Sequence, residues 1–308
     1  MRRWWFADAP PERLAALRIA IGGYAIAWLV GRGSELVALA KLPAAHFAPT
    51  GVVRLLDAPL PPGLALVLAL ATIVLLVALT LGLAYRWTAP LAALGLLWTL
   101  SYRNAWGLSF HTENLLVLHV LALACAPAAD AWTFGRRPAA PARDGYGWPI
   151  KLMAALTVAT YLLAGIAKLR LGGLAWLDGE TLRNQIAIDN LRKALLGAPT
   201  AVFATQLLDH PASLTIVSVV TIVVELGAPL ALVHRRIAAV WAITAWGFHV
   251  GVVLTMNIWF PYPLFGFAYL PLFEVERVGR WLRGNRGRGQ RGTKLEHRSP
   301  DLPAQLRV

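Results

Sequence analysis

The sequence predicts an all-α integral membrane protein, built as a bundle of about eight transmembrane helices. Of its 308 residues, 57% are hydrophobic and only 15% are charged, against roughly 25% charged residues in an ordinary soluble domain. A water-soluble fold of this length could not bury so much apolar surface in one core, so we expect a multi-pass protein of the cell membrane. The single cysteine, Cys125, excludes an intramolecular disulfide and is expected to be buried.

Eight stretches are candidates for spans, because a helix needs roughly 20 mainly apolar residues to cross a bilayer. In chain order they cover residues 13–30, 63–84, 88–102, 111–126, 148–169, 212–233, 237–256 and 258–275. The fourth is short, and three prolines interrupt the eighth. A cleavable signal peptide is the alternative for the first stretch, but the cleavage-like triplet at 38–40 lies too far from the start. A further helix is expected at 180–195, in a long loop.

Basic residues set the expected orientation, because Lys and Arg concentrate on the cytoplasmic side of membrane proteins. An eight-span count places the Arg-rich short turns, the N-terminus and the C-terminal tail on one side, so both termini are expected in the cytoplasm. Residues 1–12 then form a cytoplasmic N-terminus, 13–280 the transmembrane domain and 284–308 a disordered basic tail. The net charge of +13 favours anionic lipid head groups as partners over nucleic acid.

Several ionisable or polar side chains fall within the predicted spans, where a charge costs about 2.5 to 3.5 kcal/mol and needs a partner or a purpose. In the eight-span arrangement, the start of the fourth span, the end of the fifth and the outer half of the seventh lie at one level near the outer face. This convergence predicts a site there. The ionisable or polar residues within the spans are Arg18, His111, Glu113, Asn114, His119, Lys168, Glu225, His249 and Asn257. Among these, Glu225 is predicted at mid-membrane, and His119 about two turns below His111.

Each of these residues also has a purely structural explanation. These are capping by His111 or Asn257, an interhelical hydrogen bond from His249, an Arg18–Glu225 ion pair, and extension of Lys168 to the interface. A lysine in an apolar site nonetheless suits base chemistry, because desolvation disfavours its ammonium form.

Three ordered segments carry a family resemblance. They are WGLSFHTEN at 106–114 with AADAW at 128–132, YLLAGIAKL at 161–169 with Trp176 and Gly179, and FH at 248–249 with MN at 256–257 and the Phe- and Pro-rich last stretch. Together they resemble the HTTM (horizontally transferred transmembrane) domain, which is shared with the vitamin K-dependent gamma-glutamyl carboxylases. The resemblance covers roughly residues 10–280.

The resemblance implies a quinol-dependent enzyme. In the carboxylases, a lysine matching Lys168 deprotonates a reduced naphthoquinone, and oxygen then converts the quinol to an epoxide through a strongly basic intermediate. That base removes a proton from the gamma carbon of glutamate, and carbon dioxide adds. The position matching His111 belongs to the same region, on the lumenal side. The expected quinol-binding or supporting residues are Glu113, Asn114, His249, Asn257 and Glu225.

The expected cofactor is a reduced naphthoquinone of the menaquinol or vitamin K hydroquinone type, and no metal is expected. The chain departs from the carboxylase pattern in two ways. Carboxylases carry two adjacent lysines, whereas Ala167 precedes Lys168 here. They also continue into a large lumenal domain that helps to recognise protein substrates. The substrate is therefore left open, and a partner protein could supply or recognise it. A non-catalytic lipid- or quinone-binding membrane subunit and a small transporter are the alternatives.

Overall fold

The computed structural model describes residues 2–107, 111–135 and 144–278. Every regular element in these ranges is a helix, which confirms the all-α class. The predicted basic tail at 284–308 and the Arg-rich turn at 136–143 lie outside the described residues.

Twelve α-helices occur in the described part of the chain. They are α1 (Arg2–Trp5), α2 (Pro11–Gly31), α3 (Gly33–Leu39), α4 (Pro62–Leu81), α5 (Tyr85–Asn104), α6 (Asn114–Ala124), α7 (Gly147–Gly172), α8 (Glu180–Leu195), α9 (Ala204–Leu208), α10 (Pro211–Leu226), α11 (Arg235–Met256) and α12 (Pro261–Leu264). Short 3-10 turns lie between some of them, at Ala44–His46, Gly51–Leu55, Asp144–Tyr146, Gly173–Trp176, Ala228–Leu232 and Phe267–Leu272.

Four of these helices are long and apolar enough to cross a membrane, namely α2, α4, α7 and α11. They correspond to the first, second, fifth and seventh predicted spans. Helix α4 exposes Val67, Leu70 and Val74 along one face, as a helix in contact with lipid hydrocarbon would. Helices α6 and α10 are apolar but shorter, and α5 has 20 residues but ends in polar side chains.

Two predicted spans are less regular than their composition suggested. Helix α10 ends at Leu226, and the chain continues as a 3-10 turn containing Pro229. The last stretch forms only the four-residue α12 and a 3-10 turn. Proline lacks a backbone N–H and clashes with the preceding turn, so it interrupts an α-helix. By contrast, the helix expected at 180–195 is observed at those bounds as α8.

Two apolar clusters fill the bundle, and α7 contributes to both. Helices α2, α4, α5 and α6 surround the first cluster, which also contains Met153 of α7. The second cluster joins α7 to α10 and α11 through Tyr161, Val224 and Trp241. The expectation that Cys125 is buried is wrong, because this residue ends α6 at an exposed position.

Candidate functional site

A cavity of about 320 Å³ lies where α7, α10 and α11 meet the start of α6 and the segment before α12. Much of its wall is apolar and includes Phe248, Val252 and Phe260. The remaining wall carries an unusual density of polar groups for the interior of an apolar bundle. These polar residues are His111, Thr112, Thr160, Tyr161, Lys168, Glu225 and His249.

Lys168 and Glu225 form an ion pair on this wall. The ammonium of Lys168, one turn before the end of α7, donates to Glu225 Oε1 at 2.5 Å. The lysine side chain is 22% exposed and the glutamate side chain only 3%. The ring of Trp176 lies beyond the ammonium, with 5.5 Å between Lys168 Nζ and the ring centroid. The cation therefore faces both a carboxylate and an aromatic ring.

Gly165 allows α7 and α10 to approach closely enough for this pair. A Cβ added at Gly165 would lie 2.9 Å from Glu225 Cβ and 3.0 Å from a methyl of Leu226. Real Cβ atoms do not tolerate such contacts, so a larger residue would push the helices apart. Since Gly165 lies one turn before Lys168 on α7, the glycine positions the carboxylate opposite the lysine.

The pair contradicts one structural explanation drawn from the sequence, an Arg18–Glu225 ion pair. Arg18 is fully buried and donates instead to three backbone carbonyls after α6. Its acceptors are Ala128 O at 2.7 Å, Ala131 O at 3.4 Å and Trp132 O at 2.6 Å. Glu225 therefore pairs with Lys168, and the lysine side chain forms an ion pair instead of only extending to the membrane interface.

Tyr161 connects the lysine helix to His249. The tyrosine lies two turns before Lys168 on the same face of α7. Its hydroxyl is 2.8 Å from His249 Nε2 and 2.6 Å from the hydroxyl of Tyr269. Sequence reasoning gave Tyr161 no role, although its seven-residue spacing from Lys168 is a signal that could have identified it.

Two buried polar atoms on the cavity residues have no hydrogen-bond partner among the described residues. They are Glu225 Oε2 and His249 Nδ1. Buried polar groups in native proteins are nearly always hydrogen-bonded, because an unmet group costs about 1 to 3 kcal/mol. These two atoms can therefore hold the polar groups of a bound molecule.

His111 also lines the cavity, close to the same aromatic residue as His249. The centroid of the Phe260 ring is 5.7 Å from that of His111 and 5.2 Å from that of His249. The side chain of His111 is exposed and makes no hydrogen bond within the described ranges. It does not cap α6, whose N-cap residue is Glu113. The capping explanation for His111 is thus wrong.

Three other predicted site residues do not line this cavity. Glu113 is buried, and its Oε2 lies 3.7 Å from a guanidinium nitrogen of Arg103. Asn114 starts α6 and is exposed. Asn257 ends α11 in the left-handed conformation, with φ of 48°, and its side chain donates to Pro199 O at 3.1 Å. For Asn257, the structural explanation matches its placement.

Metal binding finds no support in residues 2–107, 111–135 and 144–278, where no group of three or more His, Cys, Asp or Glu side chains is arranged to hold an ion. The cavity instead offers one ion pair, two imidazoles and a phenol among apolar walls. Such a set can bind an amphipathic organic molecule and exchange protons with it.

Comparison with known proteins gives one match. The family model described as HTTM domain matches residues 6–276. The chain belongs to the HTTM family. No curated protein and no solved structure matches it significantly. The resemblance noted in the sequence is therefore confirmed for the HTTM domain.

Within this HTTM domain, each of the three ordered segments supplies a residue of the cavity. The first supplies His111, the second Lys168 with Tyr161, and the third His249. Glu225 comes from α10, which none of the three segments covers. His111, Tyr161 and His249, which are at least 50 positions apart in the sequence, thus line the same cavity.

Proposed function

We propose that this HTTM protein is a quinol-dependent membrane enzyme with carboxylase- or epoxidase-like chemistry. In this proposal Lys168 and Glu225 act together as the base. The observation that carries it is the Lys168–Glu225 pair, which lies on the wall of an apolar cavity beside His249 and Tyr161. A pair with only a structural role would have no need of a cavity.

The residues around the cavity fit a reduced naphthoquinone. A volume of about 320 Å³ falls within the roughly 300 to 1,000 Å³ that is typical of small-molecule sites. Phe248 and Phe260 offer aromatic faces to fused rings, and the unpartnered atoms of Glu225 and His249 suit hydroxyl groups. When bound, the quinol supplies the reducing equivalents for a reaction with oxygen.

The ion pair provides a route to a neutral amine. An ammonium group cannot accept a proton, so Lys168 must first release one. Transfer of that proton from Lys168 Nζ to Glu225 Oε1 converts the two charges into a neutral pair, which a low-dielectric site tolerates better than separated ions. The neutral Lys168 amine can then take a proton from a hydroxyl group in the cavity.

The tyrosine and the histidines orient the bound molecule in this scheme. The Tyr161 hydroxyl holds His249 through Nε2, so Nδ1 remains for a ligand in the cavity. His111, which also lines the cavity, can hydrogen-bond a second polar group of the same molecule. Two such anchors fix the ring relative to Lys168, and positioning of this kind contributes strongly to rate.

We also propose that the chain crosses the cell membrane eight times, with both ends in the cytoplasm and the cavity near the outer leaflet. The distribution of Lys and Arg supports this arrangement, and the four long apolar helices account for four of the crossings. Single cysteines at Gly173 and Arg236, introduced with Cys125→Ala, should react with impermeant reagents from opposite sides. Labelling of both from the same side would contradict this topology.

The alternative is a non-catalytic lipid- or quinone-binding subunit. The closed Lys168–Glu225 contact favours it, because a permanent ion pair would need no reaction to explain it. A protein partner that supplies or recognises the substrate fits either proposal. Only the catalytic one requires the amine to change its protonation state.

The direct test follows oxygen-dependent conversion of a reduced naphthoquinone to its epoxide by the purified protein in lipid. Lys168→Arg keeps a cation that pairs with Glu225, but a guanidinium stays protonated and cannot act as a base. We expect it to fold normally and to lose turnover by about a hundred- to ten-thousand-fold, as is typical when a positioned base is lost. Lys41→Arg makes the same change at an exposed loop position and should leave turnover unchanged.

Two outcomes separate the proposals. Unchanged turnover in Lys168→Arg would remove the lysine from the chemistry. Saturable quinol binding by the wild type, without turnover of any naphthoquinol, would favour the non-catalytic subunit. For this second result, a control is needed: membrane extract is added as a source of partner protein and substrate, and turnover must remain absent.

A further inference from the structure

A second cavity, of about 300 Å³, lies at the opposite end of α7 from Lys168. Lys151 lines it, and 17 residues of helix place this lysine about 25 Å from Lys168 along the axis. Trp4, His234 and Arg235 line the same cavity, together with apolar residues of α7, α11 and the turns beside them. It is thus a cationic cavity with apolar walls.

Lys151 has no carboxylate partner within the described ranges. Its ammonium lies over the ring of Trp4, with 4.8 Å between Nζ and the centroid. A cation over an aromatic ring gains roughly 0.5 to 2 kcal/mol, which does not replace a counter-ion in a half-buried position. The lysine can therefore still bind an anion.

The carboxylates nearest this end of the bundle are engaged by arginines. Glu276 binds Arg13 at 2.8 Å. Glu274 lies 3.7 Å from Arg13 and 3.3 Å from Arg235, and it also pairs with Arg277. Two carboxylates thus face three guanidinium groups, before Lys151 is counted. This group of ion pairs therefore has one more positive than negative charge.

Three helices also begin at this end. The first residues of α2, α7 and α11 lie near Arg13, Lys151 and Arg235 respectively. The N-terminus of a helix carries a partial positive charge from its aligned peptide dipoles, and it favours anions. The dipoles add to the field of the side chains rather than opposing it.

We propose that this cavity is a binding site for a phosphate ester anion, and specifically for the head group of an anionic membrane lipid. Lys151 and Arg235 contact the phosphate, and the apolar wall formed by Leu232 and Leu272 accommodates the upper part of the acyl chains. Trp4 covers the site from the side of α1. The apolar lining is what favours a lipid over a soluble phosphate. The site is independent of the quinol chemistry and lies at the other end of the bundle.

The test compares binding of phosphatidylglycerol and phosphatidylcholine to the purified full-length protein by native mass spectrometry. We expect phosphatidylglycerol to bind the wild type more tightly, and Lys151→Gln and Arg235→Gln each to weaken this binding roughly five-fold, since each cation contributes about 1 kcal/mol. Arg54→Gln removes one exposed positive charge elsewhere in the chain and should have no such effect. Lipid binding by the basic tail would be the same in every variant, so only the difference between variants reports on the site.

Melting temperatures in phosphatidylcholine show that the variants fold, and equal values validate the comparison. If Lys151→Gln misfolds, Arg235→Gln alone tests the proposal. The Arg235 side chain is 63% exposed, so its replacement should leave the fold intact. Equal phosphatidylglycerol affinity in the wild type and the folded variants would overturn the proposal. So would inorganic phosphate that displaces the lipid at comparable concentration, since it would make a soluble phosphate compound the ligand.

Discussion

Arg18 and Lys168 are both cations inside the helical bundle, but the protein satisfies them in different ways. Arg18 is completely buried, and its guanidinium donates to three carbonyls in the segment 128–132. Lys168 is partly exposed to a cavity and donates to one carboxylate. The arginine is enclosed by acceptors that cannot take a proton, whereas the partner of the lysine can.

The difference separates a buried charge with a structural role from the charge that we propose to react. Backbone carbonyls fix a guanidinium, whose proton never leaves, so Arg18 ties α2 to the end of α6. Glu225 keeps a second oxygen without a partner among the described residues. Lys168 therefore lies beside a carboxylate that can accept its proton and beside a cavity that can hold a substrate.

The largest effect on stability is expected at Arg18. Arg18→Met should lower the free energy of unfolding by about 3 to 5 kcal/mol, because it leaves several buried carbonyls without donors. Arg18→Lys should recover part of this loss. Reversible unfolding in mixed detergent micelles measures both. If Arg18→Met were nearly as stable as the wild type, Arg18 would not have the structural role that distinguishes it from Lys168.

A smaller loss is expected at Lys168. Lys168→Met leaves Glu225 unpaired, and we expect a cost of about 1 to 3 kcal/mol. The double variant Lys168→Met with Glu225→Leu should be more stable than the single one, since apolar residues often replace a buried ion pair without loss. The same unfolding measurement gives the coupling free energy. Additive effects of the two substitutions would show that the residues do not form a pair.

Tyr161 offers a sharper separation of stability from function. Tyr161→Phe loses contacts with His249 and Tyr269 and should cost about 1 kcal/mol per hydrogen bond. Tyr85→Phe is its matched control, because the Tyr85 hydroxyl donates to Leu123 O at 2.7 Å away from the cavity. Tyr161→Phe should lose about twice as much stability as Tyr85→Phe, because two hydrogen bonds are lost instead of one, and only Tyr161→Phe should weaken binding of a reduced naphthoquinone. Equal binding by the two would exclude Tyr161 from the site.

The smallest effect is expected at Glu35, in the short α3 helix outside the long apolar spans. Burial raises the pKa of Glu35, but hydrogen bonds from Arg32 and Arg103 outweigh this and lower the pKa below its usual 4.5. A lowered pKa in the folded state stabilises the protein above pH 4.5, and this contribution is lost as the pH falls through the folded pKa. Glu35→Gln should have a lower melting temperature than the wild type at neutral pH. In acid, the difference in melting temperature between the two proteins should become smaller. A difference that is the same at every pH would contradict this.

The sequence predicted much of the site but not its internal connections. His111, Lys168 and His249 were identified because ionisable side chains stand out in apolar spans, and a helical bundle can bring distant segments together. The partner of Lys168 was not identified, because Glu225 was placed at mid-membrane on an idealised span. The structure shows that α10 ends directly after Glu225. The acceptors of Arg18 were missed because backbone carbonyls leave no trace in composition.

For the helices, too, local features could be predicted from the sequence, whereas features that depend on packing could not. Helix α8 was predicted at its observed bounds from a stretch of mixed polar and apolar residues. The last stretch was recognised as broken by its prolines, but the course of α12 and the following 3-10 turn depends on packing against α7 and α11. Glu113 and Asn257 show the converse case, since each is polar at the right level but is engaged elsewhere.

The central claim is that an amine at position 168 removes a proton, and chemical rescue tests it most directly. Lys168→Cys, made with Cys125→Ala because Cys125 is exposed, should not convert a reduced naphthoquinone. Treatment with 2-bromoethylamine rebuilds an amine of nearly the length of lysine, and turnover should return, whereas iodoacetamide should restore none. Turnover in untreated Lys168→Cys at the level of the Cys125→Ala protein would contradict the account, as would equal recovery with both reagents.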